Sequence, residues 1–251
     1  GGASTGVHRF AALDALRGVA ALIVAAHHLH GQGPIFGSAF FQRGGLFVDF
    51  FFVLSGFVIA AAYGERLRAG FPALRFLWVR LGRVWPVHAL MLLAYLLIEL
   101  AVLVSGNTAL TGRAAFAGER QLGDLLVQVL LLQAFVPSAL YTWVVQSWSI
   151  AIEVLLYLLI AFGWRAAGRW WWQASLLVAV TAGLVMGSSA ADGTFTAHLR
   201  GLCGFGLGVA AFALWRKGGA QLARLNSPAA TLAEGLLVVA AAALIAVPEA
   251  M

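Results

Sequence analysis

Apolar residues gather into seven long runs, at residues 10–29, 46–63, 87–104, 148–164, 170–186, 199–215 and 229–247. Each approaches or reaches the roughly 17–25 residues that a helix needs to cross the hydrocarbon of a bilayer. The runs are continuous and do not alternate apolar with polar, which excludes an outer-membrane barrel. An eighth run, 125–136, is short and holds Gln128 and Gln133; that length suits a re-entrant or interfacial helix. The pattern predicts an all-α, polytopic bundle of seven spans plus one short helix that does not cross.

Composition agrees. Of 251 residues, 62% are apolar and 10% charged, and the mean hydropathy is +0.91, against about 25% charged in soluble domains. A soluble enzyme is excluded. The 29 Gly suit close helix contacts, and the 9 Trp and 17 Phe suit interfacial anchoring. The single cysteine, Cys203, allows no intrachain disulfide and reads as a small buried hydrophobe.

The net charge is +6, and every basic residue but Lys217 is arginine. Most flank apolar runs, which is a topology signal and not a nucleic-acid footprint. Arg66, Arg68, Arg75, Arg80 and Arg83 against Glu65 place the loop after the second run in the cytoplasm, and hence the N-terminus too. With 125–136 outside the count, the Arg165/Arg169 and Arg216/Lys217/Arg224 loops fall inside and the Asp192 loop outside; Arg113 and Arg120 run against the rule. Asp14 and Arg17 interrupt the first run, so it does not read as a cleavable signal peptide. Residues 1–9 read as a cytoplasmic tail and 10–251 as one membrane domain. The chain stops at Met251 directly after an apolar run, as an incomplete membrane domain would.

Ionisable groups inside spans are expensive and therefore candidate functional residues. In the first span Arg17 and His28 share one helix face about 16 Å apart, while His27 and His30 point elsewhere. The plain alternative is that Asp14 and Arg17 anchor one end and His28 snorkels at the other. Asp49 begins the second span near the depth of His28 and is placed to fix an imidazole tautomer. Ser55 and Gly56, deeper in that span, read first as small residues that let helices approach. Arg80 and Arg83, at the inner end of the third span before Trp85-Pro86, lie near the depth of Arg17, and three guanidinium groups at one level suit phosphate. His88 and Glu99 receive no role, though Glu99 lies deep and is expected to be paired or protonated. In the fourth span Trp148 and Ser149 precede Glu153, which falls about 7 Å below the outer boundary. An outer set of His28, Asp49 and Glu153 thus faces an inner set of Arg17, Arg80 and Arg83. No metal site is expected.

Four segments, in order, resemble the acyltransferase family 3 of multi-span membrane enzymes, which O-acylate sugars of surface glycans and some secreted metabolites. They are Leu13-Asp14-Ala15-Leu16-Arg17-Gly18 with His28, Val48-Asp49 through Phe57, Arg80 to Pro86-Val87-His88, and Trp148-Ser149 to Glu153 and Tyr157. Residues 204–208 add a faint echo. The resemblance covers 10–160. It implies about ten spans, so about three would follow the seven counted here at roughly 20 residues each. It also implies a functional pair in Arg17 and His28, an acyl-CoA donor, commonly acetyl-CoA, used as co-substrate and not as a resident cofactor, and Arg80 and Arg83 in the basic cytoplasmic loop. Two positions depart: His27 stands where the family often has an aromatic, and Glu153 stands alone where many members have two glutamates.

The expected function is therefore a membrane O-acyltransferase with Arg17, Arg80 and Arg83 on the CoA phosphates. His28 is base or acyl carrier, and Asp49 or Glu153 its orienting group; imidazole suits either role because its charge changes near neutral pH. The acceptor would be a hydroxyl of a glycan, a lipid-linked sugar or a secreted glycosylated metabolite, chosen through the region 105–147 or later segments. The location would be a bacterial inner membrane, in keeping with an Arg-over-Lys and Ala bias. The alternative is a transporter or flippase for an anionic or sugar-linked solute, though neither broken midplane helices nor paired half-repeats are visible. A light or ligand receptor lacks support, since the one lysine, Lys217, is expected in a loop and not inside a span.

Overall fold

The computed structural model describes residues 11–28, 33, 37–109, 111–188 and 193–222. The expected span at 229–247, with His30, Asp192 and Arg224, lies outside them, as does the side chain of Asp14. The described residues form eight α-helices in order: α1 (Ala11–His28), α2 (Ala39–Gln42), α3 (Phe47–Arg68), α4 (Ala73–Ser105), α5 (Leu122–Val129), α6 (Trp148–Ala167), α7 (Trp171–Gly187) and α8 (Gly193–Leu222). Short 3-10 turns join them, and there is no strand among the described residues. Among the described residues, four segments are long and apolar enough to cross a membrane: Gly44–Arg68, Ala73–Ser105, Val145–Gly187 and Phe195–Gly218. The third of these holds both α6 and α7, and the apolar part of α1, Ala15–His28, is shorter. The structure thus supports a helical membrane bundle without establishing a count of seven.

Several expectations change in detail: Arg66 and Arg68 lie in the last turn of α3, and Arg216 and Lys217, expected in a loop, lie inside α8. The stretch with Arg75, Arg80, Arg83 and Pro86 is not a loop: it forms the first half of α4, which ends at Gly106 in the left-handed region (φ 64°), its N–H bonded to Val102 O at 2.9 Å. Proline is tolerated inside a membrane helix because neighbouring groups satisfy what it frees. The short run 125–136 is not one helix either. Its helical part, α5, has eight residues, or about 12 Å, too short to cross. It stops because Leu131 turns left-handed (φ 54°), with Leu132 N–H bonded to Val127 O at 2.9 Å, and a 3-10 turn at Gln133–Phe135 follows.

The chain forms two compact units, Gly1–Tyr63 with Gly204–Met251, and Gly64–Cys203. In the first, α3 and α8 meet at their backbones: a methyl group at Gly56 would overlap Phe205 O, one at Gly208 would overlap Val53 O, and one at Gly204 would lie 2.9 Å from Phe52 Cβ. Helices without a hydrophobic driving force between them associate through such small-residue contacts. Phe57 stands edge-on to Phe212 and Trp215 beside this crossing. Gly208→Ala is therefore expected to destabilise the protein by about 1–3 kcal/mol through overpacking. Gly82→Ala, with nothing within 4 Å of the added carbon, should leave the midpoint unchanged or raise it; thermal melting followed by tryptophan fluorescence in detergent compares the two.

In the second unit α4 runs antiparallel to α6: Phe71 and Ala73 at the start of α4 share a cavity with residues 161–166 at the end of α6, and Phe76 meets Tyr157 edge to face. The segment between α4 and α6 therefore begins and ends on one side. It folds back over α4 around Trp143, Val144 and Leu92, with Tyr95, Leu96, Phe116, Leu125 and Val129 packed on them. Helix α7 returns along α6 through Trp164 and Trp171, whose rings lie 4.8 Å apart, and Trp164 Nε1 donates to Ser175 Oγ at 3.0 Å.

Candidate functional site

Helix α1 runs unbroken from Ala11 to His28, so the spacing of Arg17 and His28 does put them on one face about 16 Å apart. Arg17 is half-buried and His28 exposed. His28 Nδ1 lies 2.8 Å from Val24 O. A carbonyl can only accept, so Nδ1 carries the proton and Nε2 is the basic nitrogen of the neutral ring. The adjacent His27 is held differently. Its Nδ1 donates to Phe41 O at 3.0 Å, and a carbon added at Gly44 would lie 2.6 Å from His27 Cβ. His27 thus clamps the end of α1 against the turn Gly44–Leu46 that leads into α3. Asp49 is half-buried in the first turn of α3, which follows directly on that turn. Ser55 is buried beside Gly56 at the α3–α8 crossing, which gives both a packing role.

The second unit holds Arg80, Arg83 and Glu153. Arg80 is buried with its guanidinium over the Tyr157 ring at 5.3 Å, and Tyr157 donates its hydroxyl proton to Glu153 Oε1 at 2.6 Å. One aromatic side chain therefore joins a cation on α4 to a carboxylate on α6, both inside helices. Arg80, about 10 Å into α4, is linked through Tyr157 to the residue expected on the opposite side of the membrane. Arg83 is exposed. Trp148 supports the Arg200 guanidinium at 5.1 Å and meets Tyr141, while Ser149 Oγ donates to Gln146 O at 3.4 Å. The expected site residues are thus divided: Arg17, His28 and Asp49 in one unit, Arg80, Arg83 and Glu153 in the other.

Two arrangements supply partners that the sequence did not name. Glu99, buried in α4, receives Arg113 Nη2 on Oε1 at 2.5 Å, Arg113 Nη1 on Oε2 at 3.0 Å and the Phe116 N–H on Oε2 at 2.8 Å. The hydrogen bond to this carboxylate raises Arg113 above the ordinary arginine value. Arg120 covers the Tyr95 ring at 3.9 Å. The arginines that ran against the charge rule are therefore structural groups folded onto α4. Second, His88 Nε2 donates to Gln128 O at 2.8 Å, and Gln128 Nε2 donates to Ala139 O at 2.8 Å and Thr142 Oγ1 at 3.2 Å. Ser147 Oγ donates to Gln128 Oε1 at 3.3 Å and accepts from Gln133 Nε2 at 3.2 Å. All five side chains are buried. The signal was present in two glutamines inside an apolar run, read as marks against a crossing and here the hydrogen-bonded frame of the fold-back. Among the described residues, no group of three or more His, Cys, Asp and Glu is placed to hold a metal ion.

A family model described as an acyltransferase domain, of acyltransferase family 3, matches residues 10–248. "Protein 2 in picA locus" of Rhizobium radiobacter is 43% identical over 89 residues, which is 34% of this chain and 42% of that protein. The match thus spans less than half the length of that curated relative. No solved structure matches.

Proposed function

This chain belongs to acyltransferase family 3, and from that premise we propose that it moves an acyl group, most simply acetyl, from cytoplasmic acyl-CoA to a sugar hydroxyl beyond the membrane. The observation that carries the reading is the hydrogen bond from His28 Nδ1 to Val24 O. It leaves Nε2 as the nitrogen able to take the proton from an attacking hydroxyl. In that step the acceptor oxygen bonds to the thioester carbonyl carbon, the C–S bond breaks, and the thiolate leaves and is protonated to free CoA. Asp49, at the same end of unit one, would stabilise the imidazolium. Arg17 and Arg83 would attract the donor's charge. Arg80 and Tyr157 position Glu153 by the contacts described. The fold-back of residues 105–147, on one side of α4 and α6, supports the acceptor.

The test is direct. Detergent-purified full chain is titrated with acetyl-CoA by calorimetry, and thiol release is followed with and without a panel of methyl glycosides. Binding with glycoside-stimulated thiol release is expected. A folded chain that binds no acetyl-CoA would overturn the donor and favour transport of a sugar-linked solute.

A further inference from the structure

Five arginines and one glutamate crowd the end of unit two where α3 finishes, α4 starts and α6 passes to α7: Arg66, Arg68, Arg75, Arg165, Arg169 and Glu65. Arg68 pairs with Glu65, and Arg169 lies over the Trp170 ring at 4.9 Å. The sequence places no other acid between Gly64 and Ile98, nor between Val154 and Ala191, so this end carries a positive excess that its own carboxylates do not balance.

The excess borders a cavity. A space of about 300 Å³ is lined by Phe71, Ala73, Ala161, Phe162, Arg165 and Ala166, at the lower end of the size range of small-ligand sites. Phe71 forms one wall, and its ring carries Arg66 at 4.4 Å and Arg75 at 5.8 Å. One guanidinium, Arg165, thus lines an aromatic and alanine-walled crevice, and two more, Arg66 and Arg75, rest on the ring of its Phe71 wall. The crevice also opens at the start of the 33-residue α4, where Pro72 provides no side-chain cap and the first turn holds no acid. The first N–H groups of a helix lack intrahelical partners, and their dipoles favour an anion. Arginine's fork matches phosphate oxygens in pairs, while the walls suit apolar chain.

We propose that the crevice lined by Phe71 and Arg165 binds the phosphate end of an acyl-bearing amphiphile, with Arg66 and Arg75, held on the Phe71 ring, adding charge beside it. The chemistry is that of a phosphate ester joined to apolar chain, which an acyl-CoA diphosphate and a phospholipid headgroup both supply. As an acyl-CoA site the assignment rests on the donor reading above. It adds three residues outside the four segments that resemble the family, and it leaves Arg80 to its contact with Tyr157.

The experiment uses the full chain and the double variant Arg75→Gln/Arg165→Gln, with Arg75→Lys/Arg165→Lys as the charge-keeping control. Circular dichroism and size-exclusion chromatography confirm that each is folded. Acetyl-CoA affinity is measured by calorimetry, and retention of added phosphatidylglycerol by native mass spectrometry. Acetyl-CoA affinity is expected to fall about tenfold or more in the glutamine variant, the scale of one lost charge-assisted hydrogen bond, and by less in the lysine variant. Unchanged acetyl-CoA affinity with a similar loss of phosphatidylglycerol would keep the phosphate site and assign it to a lipid headgroup. If wild type binds no acetyl-CoA, the donor reading fails and the lipid measurement alone decides the site. Loss of neither ligand in a folded glutamine variant overturns the proposal.

Discussion

His28→Ala is expected to lower acyl transfer about 100- to 10,000-fold, the range that a positioned general base supplies, while the protein still inserts and folds. The expectation rests on three features of one helix. α1 is continuous to His28, so the ring stands on the Arg17 face. Its Nδ1 is occupied by Val24 O, which fixes the tautomer with the lone pair on Nε2. The ring is exposed, so its removal opens no packed core. His27 provides the contrast, since its ring holds Phe41 O and lies against Gly44. His27→Ala should therefore reduce stability by about 1 kcal/mol, the worth of an ordinary hydrogen bond, and reduce transfer less than the loss of His28. Thiol release from acetyl-CoA with a glycoside acceptor, normalised to folded protein, measures both. Wild-type turnover by a folded His28→Ala protein would remove His28 from the chemistry.

How far these residues were legible beforehand follows from where the physics is local. The spacing of Arg17 and His28 needs only a regular helix, and α1 supplies one. Gly56 as a packing residue follows from its size, and Phe205 O indeed lies where its side chain would be. The first half of α4 was less legible. Arg75, Arg80, Arg83 and Pro86 lower its hydropathy, and what keeps Arg80 inside a helix is the face of Tyr157, 77 positions away. The break after α5 was hidden for another reason. Its left-handed residue is Leu131, where sequence reading looks for glycine or asparagine because a side chain there costs about 1–2 kcal/mol. That strain is offset by packing, since Leu131 is buried. Glu99 illustrates a third limit. Its depth announced a partner, but Arg113 reaches it only because the following segment folds back along α4.

That pairing carries the largest stability effect expected in the molecule. Glu99 is 1% exposed, and it receives both Arg113 nitrogens and the Phe116 N–H. Glu99→Ala leaves a guanidinium and a backbone donor without the group that neutralised them. Breaking one side of a buried pair costs about 3–5 kcal/mol; because the Arg113 side chain keeps 27% of its surface exposed, the expected loss is near the lower end, about 3 kcal/mol. Arg113→Ala should cost at least as much, since the stranded carboxylate is the more deeply buried partner. Glu99→Leu combined with Arg113→Leu should recover most of the loss, because removing both charges removes the desolvation that each partner suffers. Thermal melting in detergent ranks the three, and trypsin cleavage after Arg120, which all three keep, reports whether the fold-back has loosened. On the proposal that residues 105–147 support the acceptor, the single variants should also raise the KM for glycoside while acetyl-CoA affinity holds. A Glu99→Ala protein with a wild-type melting point and an uncut fold-back would show that the pair contributes nothing net, and that Trp143 and its apolar neighbours hold this segment on their own.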